Sequence, residues 1–268
     1  MQPSFLKKNG ILHAGFPDLL NAKPLLASMK TTYALQFGIL LSVLIFTSCQ
    51  QQPAENLAQK QVKQMNPEEA AMMAQSIEEV VQPELDERLS LKLWAVDSLV
   101  ADPVAIDMDD QGRLYYSRTT RRKSTEIDIR GHQDWETASI KLQTVENRRN
   151  FLHTALAAEH SEKNKWLGDL NGDGINDWRD LTVESEQIYR LEDVSGDGVA
   201  DYSELMVEGF RDELTDVAGA VLAHGEDIFV GVAPDMWRVK DTNGDGIADE
   251  KTSISHGYGV HIGFGGHN

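Results

Sequence analysis

The chain has 268 residues, with 43 acidic side chains against 25 basic ones, a formal net charge of −18 and a single cysteine. An acid excess of this size repels phosphate backbones and anionic headgroups, which excludes a nucleic-acid-binding function. One cysteine excludes an intrachain disulfide and a cysteine-ligated zinc centre.

Residues 1–28 add nothing to a targeting segment and read as an over-called upstream extension, with Met29 as the true start. Residues 33–46 (YALQFGILLSVLIF) are the only long apolar run. The run is short for a membrane span and suits the apolar centre of a signal peptide. Lys30 precedes it, and Thr47-Ser48 place small residues before Cys49. Residues 29–48 thus resemble a bacterial lipoprotein signal, although Phe46 stands where such signals favour Leu. The resemblance implies that Cys49 carries lipid, becomes the mature N-terminus and anchors the protein in the bacterial cell envelope, facing the periplasm. Removing residues 1–48 takes four lysines and one aspartate, which leaves 21 bases against 42 acids. Such a surface repels itself unless cations bind.

Residues 49–66 are rich in Gln, Ala and Lys without an apolar period, as expected of a flexible tether. Asn66-Pro67-Glu68-Glu69 then predicts a helix start within a short helical lead-in over 67–88: a capping residue, Pro at the first position, acids in the first turn. Met72, Met73, Ile77 and Val80-Val81 supply its apolar side, and Pro83 ends it. From Leu89 the alternation of Leu91, Leu93 and Ala95 predicts a strand. Residues 102–117 read as strand, turn and strand, and residues 216–231 repeat that outline. Residues 118–165 break the rhythm, include a helix over 145–160, and read as an insertion.

A self-similarity lies over the C-terminal half. IYRLEDVSGDGVADYSELMVEGF (188–210) and MWRVKDTNGDGIADEKTSISHGY (236–258) match at an offset of 48, including Arg190/Arg238, Asp193/Asp241, Asp197/Asp245, Asp201/Asp249 and Gly209/Gly257. A repeat of roughly 40–50 residues is the period of one four-stranded propeller blade. The expected fold is mainly β: a partial β-propeller of about two blades over 89–268, with calcium-binding hairpin loops. A closed ring needs at least four blades, so the sequence reads as the N-terminal fragment of a longer protein.

Ca²⁺ takes six to eight oxygens, which a tight loop supplies at alternate positions with Gly at the sixth. Loop one offers Asp169, Asn171, Asp173, the Ile175 carbonyl, Asp177 and Asp180. Loop two offers Asp193, Ser195, Asp197, the Val199 carbonyl, Asp201 and Glu204 at position twelve. Loop three offers Asp241, Asn243, Asp245, the Ile247 carbonyl and Asp249, with Thr252 where the twelfth-position acid would stand. Loop two has the fullest set. The competing reading of each loop is a metal-free Asp-Gly hairpin turn. The spacing of loops one and two is dockerin-like, but the flanks of loops two and three alternate with strand period, which argues against helix–loop–helix calcium sensors. His132, His224, His256 and His261 lack metal-site spacing and read as turn or surface residues.

DPVAIDMDDQGRLYYSRTTRR, STEIDIRGHQDWE, GVAPDMWRVKDTNGDGIADE and HGYGVHIGFGGHN together resemble the large bacterial proteins described as membrane-bound dehydrogenases or haem-binding-domain proteins. Their propeller is similar to that of soluble quinoprotein glucose (sugar) dehydrogenases. The resemblance spans residues 66–268 and is strongest over the third segment. It implies a sugar or polyol substrate, pyrroloquinoline quinone (PQQ) as cofactor and a cytochrome as electron acceptor. It also implies that His267 is the general base and that Asn268 is the amide beside it, facing the cofactor. An imidazole suits that task because its pKa lies near working pH; the competing reading makes His267 a turn residue. Haem does not carry over, because the chain has no C-x-x-C-H and its one cysteine is assigned to lipid. A non-catalytic, calcium-stiffened propeller used for binding or scaffolding is the alternative function.

Overall fold

The computed structural model describes residues 56–121 and 124–263. The chain divides into two compact units, Met1–Gln52 and Pro53–Asn268, and every described residue belongs to the second. The signal segment, Cys49, His267 and Asn268 lie outside the described residues.

The described protein is mainly β, with two antiparallel sheets and few helices. The first sheet contains β1 (Val62–Gln64), β2 (Pro103–Met108), β3 (Leu114–Thr119), β4 (Glu186–Glu192) and β5 (Tyr202–Phe210), ordered β1-β5-β4-β3-β2. The second holds β6 (Ala220–His224), β7 (Asp227–Val232), β8 (Asp235–Lys240) and β9 (Glu250–His256) in sequential order. Apart from β1, each sheet is a four-stranded meander, which short turns and period-two apolar patterning favour. Both strand pairs expected around 102–117 and 216–231 are present, and strands flank loops two and three.

The sheets pack face to face through Tyr115, Ile188, Val207 and Phe210 on one side and Ile228, Val230, Val232 and Val239 on the other. The edge strands β2 and β6 lie next to each other. The Asp107 carboxylate at this seam accepts the Ala223 amide at 2.8 Å. Glu186, fully buried, ties the first sheet to the chain entering the second: its carboxylate accepts Ala218 N–H at 2.8 Å and the Thr119 hydroxyl at 2.7 Å. Arg121 Nε lies 3.2 Å from it. Burial pushes the Glu186 carboxyl up and the Arg121 guanidinium down.

The 48-residue repeat is structural. It sets β4 on β8 and β5 on β9 with the faces of each sheet preserved. Leu191 looks away from the second sheet, and its counterpart Val239 looks toward the first. The outline at 102–117 and 216–231 follows a different offset because β7 and β8 are joined by the turn Ala233-Pro234, whereas β3 and β4 are separated by residues 120–185. This excursion carries the short helix α2 (Glu136–Ile140), the helix α3 (Val145–Ala155) and loop one. It has its own core of Trp135, Leu152, Leu156, Leu167 and Leu181, closed by Leu214 from the β5–β6 connection and by Ile262 from the chain after β9.

The lead-in helix, α1 (Pro67–Val81), starts as the sequence predicts. Asn66 Oδ1 accepts Glu68 N–H at 2.9 Å, Pro67 occupies the first turn, and the chain leaves the helix at Gln82 with φ 37°. Such a cap satisfies amides that have no intrahelical partner. Ala70, Ala74, Met73 and Ile77 pack on Val96 and on Val199 of loop two. Met72, Val80 and Val81 are exposed.

Two sequence expectations change. Residues 89–96 form no strand. Leu89 and Leu91 are exposed, and the segment lies extended over the first sheet, donating Leu93 N–H to Glu78 and accepting the Ala200 amide at the Trp94 carbonyl. The polar stretch before α1 is also fixed from residue 56 onward. Leu57 N–H reaches Ala248 O at 2.8 Å, and β1 pairs with β5 in the register Val62↔Glu204. Main-chain hydrogen bonds to a strand edge carry this pairing, so it needs no apolar period.

Candidate functional site

The three acidic loops share one hydrogen-bond scheme. In each, the first aspartate accepts main-chain amides from positions four and six. Asp169 accepts Gly172 and Gly174 at 2.8 and 2.9 Å; Asp193 accepts Gly196 and Gly198 at 2.7 Å each; Asp241 accepts Gly244 and Gly246 at 2.7 and 2.8 Å. The position-five aspartates Asp173, Asp197 and Asp245 accept from Ile175, Val199 and Ile247 at 2.8, 2.9 and 2.9 Å. Asn171 and Asn243 accept the Asp173 and Asp245 amides, while the Ser195 hydroxyl donates to Asp193. The sequence repeat thus fixes a backbone conformation as well as a composition.

The closing acid differs between loops, and the following element decides which one serves. In loops two and three a strand begins one residue after position nine. Asp201 closes loop two by accepting Val194 and Ser195 N–H at 2.9 and 3.2 Å, and Asp249 closes loop three on Thr242 at 3.2 Å. The necks are matched, since Asp201 N–H reaches Glu192 O and Asp249 N–H reaches Lys240 O. In loop one a 3-10 turn, Trp178–Thr182, follows instead and folds position twelve back. Asp180, fully buried, takes the closing role, accepting Leu170 and Asn171 at 2.8 and 3.2 Å. Asp177 caps the turn and pairs with Arg179.

Glu204, expected at position twelve of loop two, is not part of that loop's network. Strand β5 carries it toward loop three. Its carboxylate lies 2.9 Å from Arg190 Nη2 and 3.2 Å from Lys60 Nζ. It also crowds the backbone of Gly246 so closely that a Cβ there would stand 2.2 Å from Glu204 Oε2. Thr252, the corresponding position of loop three, sits on β9 opposite Arg238. The ranking of loop two above loop three by its twelfth-position acid therefore loses its basis.

Each of these loops is braced by the chain's N-terminal part. Lys92 Nζ donates to Asp197 O at 3.2 Å. Asn56 Nδ2 reaches Asp245 Oδ2 at 2.9 Å, and Lys60 Nζ reaches Asp245 O at 3.0 Å. These braces are invisible in the loop motif, because contacts across so much sequence carry no local signal.

Burial works to raise the Asp193 carboxyl, but the Gly198 and Gly196 amides and the Ser195 hydroxyl outweigh it and hold the carboxyl below the usual range. The Asn56 amide holds Asp245 low, assisted by Ile247 N–H. Asp177 stays low because Arg179 outweighs its burial.

Among the described residues, no three His, Cys, Asp or Glu side chains converge as a ready-made metal cage. A single-loop Ca²⁺ site draws on Asn or Ser oxygens and a main-chain carbonyl as well as carboxylates, so its donor set is not one of acids alone. A carboxylate has about four lone-pair sites, and the amide bonds within each loop occupy only part of them. Oxygen donors of the kind a hard cation takes are thus present in each loop.

The four histidines set aside as turn or surface residues have structural partners. His132 stacks on Trp135 at 4.2 Å, and burial lowers its pKa. His261 Nδ1 lies 2.8 Å from Ser139 O, and His256 Nδ1 lies 3.0 Å from Asp235. His224 ends β6 opposite Asp227. His153, which the sequence did not single out, stacks on Trp178 and meets Glu213 at 2.8 Å.

Over residues 73–263 the chain matches the family described as Domain of unknown function (DUF7133). It belongs to that family. The DUF7133 match runs from within α1 through β2 to β9, leaves out β1, and takes in all three acidic loops. No curated protein and no solved structure matches the chain. Among the described residues of this DUF7133 protein, no helix is long and apolar enough to cross a membrane.

Proposed function

We propose that this chain forms the opening blades of a calcium-stiffened β-propeller of the quinoprotein sugar-dehydrogenase type, held in the bacterial cell envelope by lipid on Cys49. The observation that carries the propeller reading is the stacking of two successive four-stranded meanders, related by the 48-residue repeat and adjacent through β2 and β6. The outer face of the second sheet supports it further. Ile188, Val207 and Phe210, buried where the first sheet meets the second, correspond by the repeat to Met236, Ser255 and Tyr258. Tyr258 is 47% exposed there, with Leu222 and Ile254 exposed as well. A face built like one that a sheet covers is the face a third sheet would cover.

In this reading, Ca²⁺ held by Asp193, Asp197 and Asp201 with the Val199 carbonyl, and by the equivalent set of loop three, clamps β4 to β5 and β8 to β9. Loop one offers Asp169, Asn171, Asp173 and Asp180. PQQ, when bound, supplies a hydride acceptor. His267 takes the hydroxyl proton of a sugar or polyol, with Asn268 beside it, and a cytochrome receives the electrons. Two sheets cannot enclose such a pocket, so turnover requires the further blades of a closed ring.

Calcium titration with thermal unfolding tests the metal reading. A ligand that binds only the folded state stabilises it by about 2.7 kcal/mol at a hundredfold excess over Kd. Asp197→Ala and Asp245→Ala should each remove part of the calcium-dependent shift, and the double variant more than either. A wild-type melting temperature that does not respond to calcium would sink this reading. The enzymatic reading is tested separately, by PQQ-dependent dye reduction with sugars in a closed-ring protein. There His267→Ala should lower the rate by about 10²–10⁴.

A further inference from the structure

At the end of the second sheet opposite loop three, a cavity of about 210 Å³ opens between β9, the turn at Pro234 and the chain after β5. Its walls reverse the charge balance of the protein. Arg149, Arg211 and Lys251 line it against two acids, Asp212 and Asp235, with the His256 imidazole beside them, in a chain that carries 43 acids and 25 lysines and arginines.

Most of those charges are already matched. Asp235 Oδ1 accepts the Ser253 hydroxyl at 2.6 Å and lies 3.0 Å from His256 Nδ1. Asp212 lies 3.2 Å from Arg149 Nη2 and accepts Leu214 N–H at 2.9 Å. Arg149 also pairs with Glu213, and Arg211 lies 3.5 Å from Glu208. Lys251 is the exception. Its ammonium stands over the rings of Phe210 at 4.7 Å and Trp237 at 5.0 Å, and among the described residues no carboxylate lies within ion-pair distance of it. Burial lowers its pKa, with no opposing acid to raise it. Aromatic faces stabilise a cation by only about 0.5–2 kcal/mol, and a half-buried ammonium loses hydration that a carboxylate would replace.

We propose that this cavity binds a small organic carboxylate, whose anionic group pairs with Lys251 and whose flat or apolar body lies against Trp237. Asp212 does not oppose such a ligand, because Arg149 neutralises it, and Asp235 Oδ1 is engaged by the Ser253 hydroxyl and the His256 imidazole. The site draws on none of the acidic loops and does not depend on the propeller or enzyme reading.

The probe is benzoate, with benzamide as its neutral isostere, measured by isothermal titration calorimetry on the full chain. Benzoate should bind about tenfold or more tightly than benzamide, the margin expected of one charge-assisted contact. Lys251→Gln should reduce benzoate affinity to the benzamide level, and Lys251→Arg should retain it. Circular dichroism checks that both variants fold. Absence of benzoate binding to the wild type, or equal affinity for benzoate and benzamide, overturns the proposal. Both outcomes are read on the unmutated protein, so misfolding of a variant cannot obscure them. Undiminished benzoate binding by folded Lys251→Gln overturns it as well.

Discussion

Gly198 and Gly246 occupy the sixth position of loops two and three, both with φ 91°, and differ only in what stands above them. An alanine at either position enters the left-handed region, which costs an L-residue about 1–2 kcal/mol. At Gly198 the new Cβ would meet Lys92 Nζ at 2.3 Å. Lys92 is exposed and flexible, so it swings aside at little cost beyond one weak hydrogen bond. At Gly246 the Cβ would meet Glu204 Oε2 at 2.2 Å and its Cδ at 2.8 Å. Glu204 is 1% exposed and held by Arg190 and Lys60. Displacing it strips a buried carboxylate of its partners, which adds about 1–3 kcal/mol. Gly246→Ala should therefore lower stability by roughly 2–5 kcal/mol and Gly198→Ala by about 1–2 kcal/mol. At this chain length 1 kcal/mol moves the melting temperature by about 2–4 °C. The assay is thermal and urea unfolding of both variants in EDTA, so that metal binding does not enter. If Gly246→Ala proves no less stable than Gly198→Ala, then Glu204 does not brace loop three, and the coupling of β5 to that loop is wrong.

In EDTA the urea midpoint should hold between pH 7 and 5 and fall below about pH 4, near the unfolded aspartate value. Asp193, Asp177 and Asp245 are held below that value in the folded state, so their contribution is present above the unfolded pKa and lost as pH falls through the folded one. Asp193→Asn should flatten the decline, and an unchanged profile would count against this assignment. Glu186→Leu removes the carboxylate at 3.2 Å from the buried Arg121 guanidinium, leaving Asp216 and Glu184 as its remaining acids, and should cost about 3–5 kcal/mol; a loss under 1 kcal/mol would contradict its role as the tie between the sheets. Cys49→Ser should move the protein from the membrane to the soluble periplasmic fraction or leave it unprocessed, because stable anchoring needs more than one acyl chain. Membrane retention of a correctly cleaved variant would refute the lipid assignment.

The repeat and the strand alternation made the strands around loops two and three legible, because period-two patterning and Asp-Gly turns are local signals. The start of α1 was legible for the same reason, from Asn66 and Pro67. The failures came from long-range effects. β1 could not be read from residues 62–64, because one exposed valine followed by Lys63 and Gln64 says nothing about the open edge of β5. Residues 89–96 alternate like a strand but meet Glu78 and the first sheet's outer face instead of a partner ladder. Glu204 matched a loop position by counting, yet the strand that begins at Tyr202 takes it elsewhere. The repeat held the better clue. It preserves Asp201 as Asp249 while replacing Glu204 with Thr252, so the preserved position was the one closing both loops.

The two ends of the sheets divide the work. In a meander, connections fall alternately at opposite ends, so the turn at 109–113, loop two, the turn at Gly225 and loop three share one end. Residues 120–185, 211–219 and 233–234 share the other. At the first end, successive loops are fixed by the same carboxylate-to-amide scheme, which sets strand register wherever it recurs. At the second, one connection is a two-residue turn and its counterpart in the first sheet is an excursion with its own hydrophobic core. Such a difference in length is tolerable only if register is set elsewhere, because a one-residue slip would turn every core side chain to the wrong face. The acidic loops meet that requirement at the end where length does not vary. The opposite end is then free to carry the excursion, the buried Arg121–Glu186 pair and the Lys251 cavity, and it is there that specificity can diverge without loss of the fold.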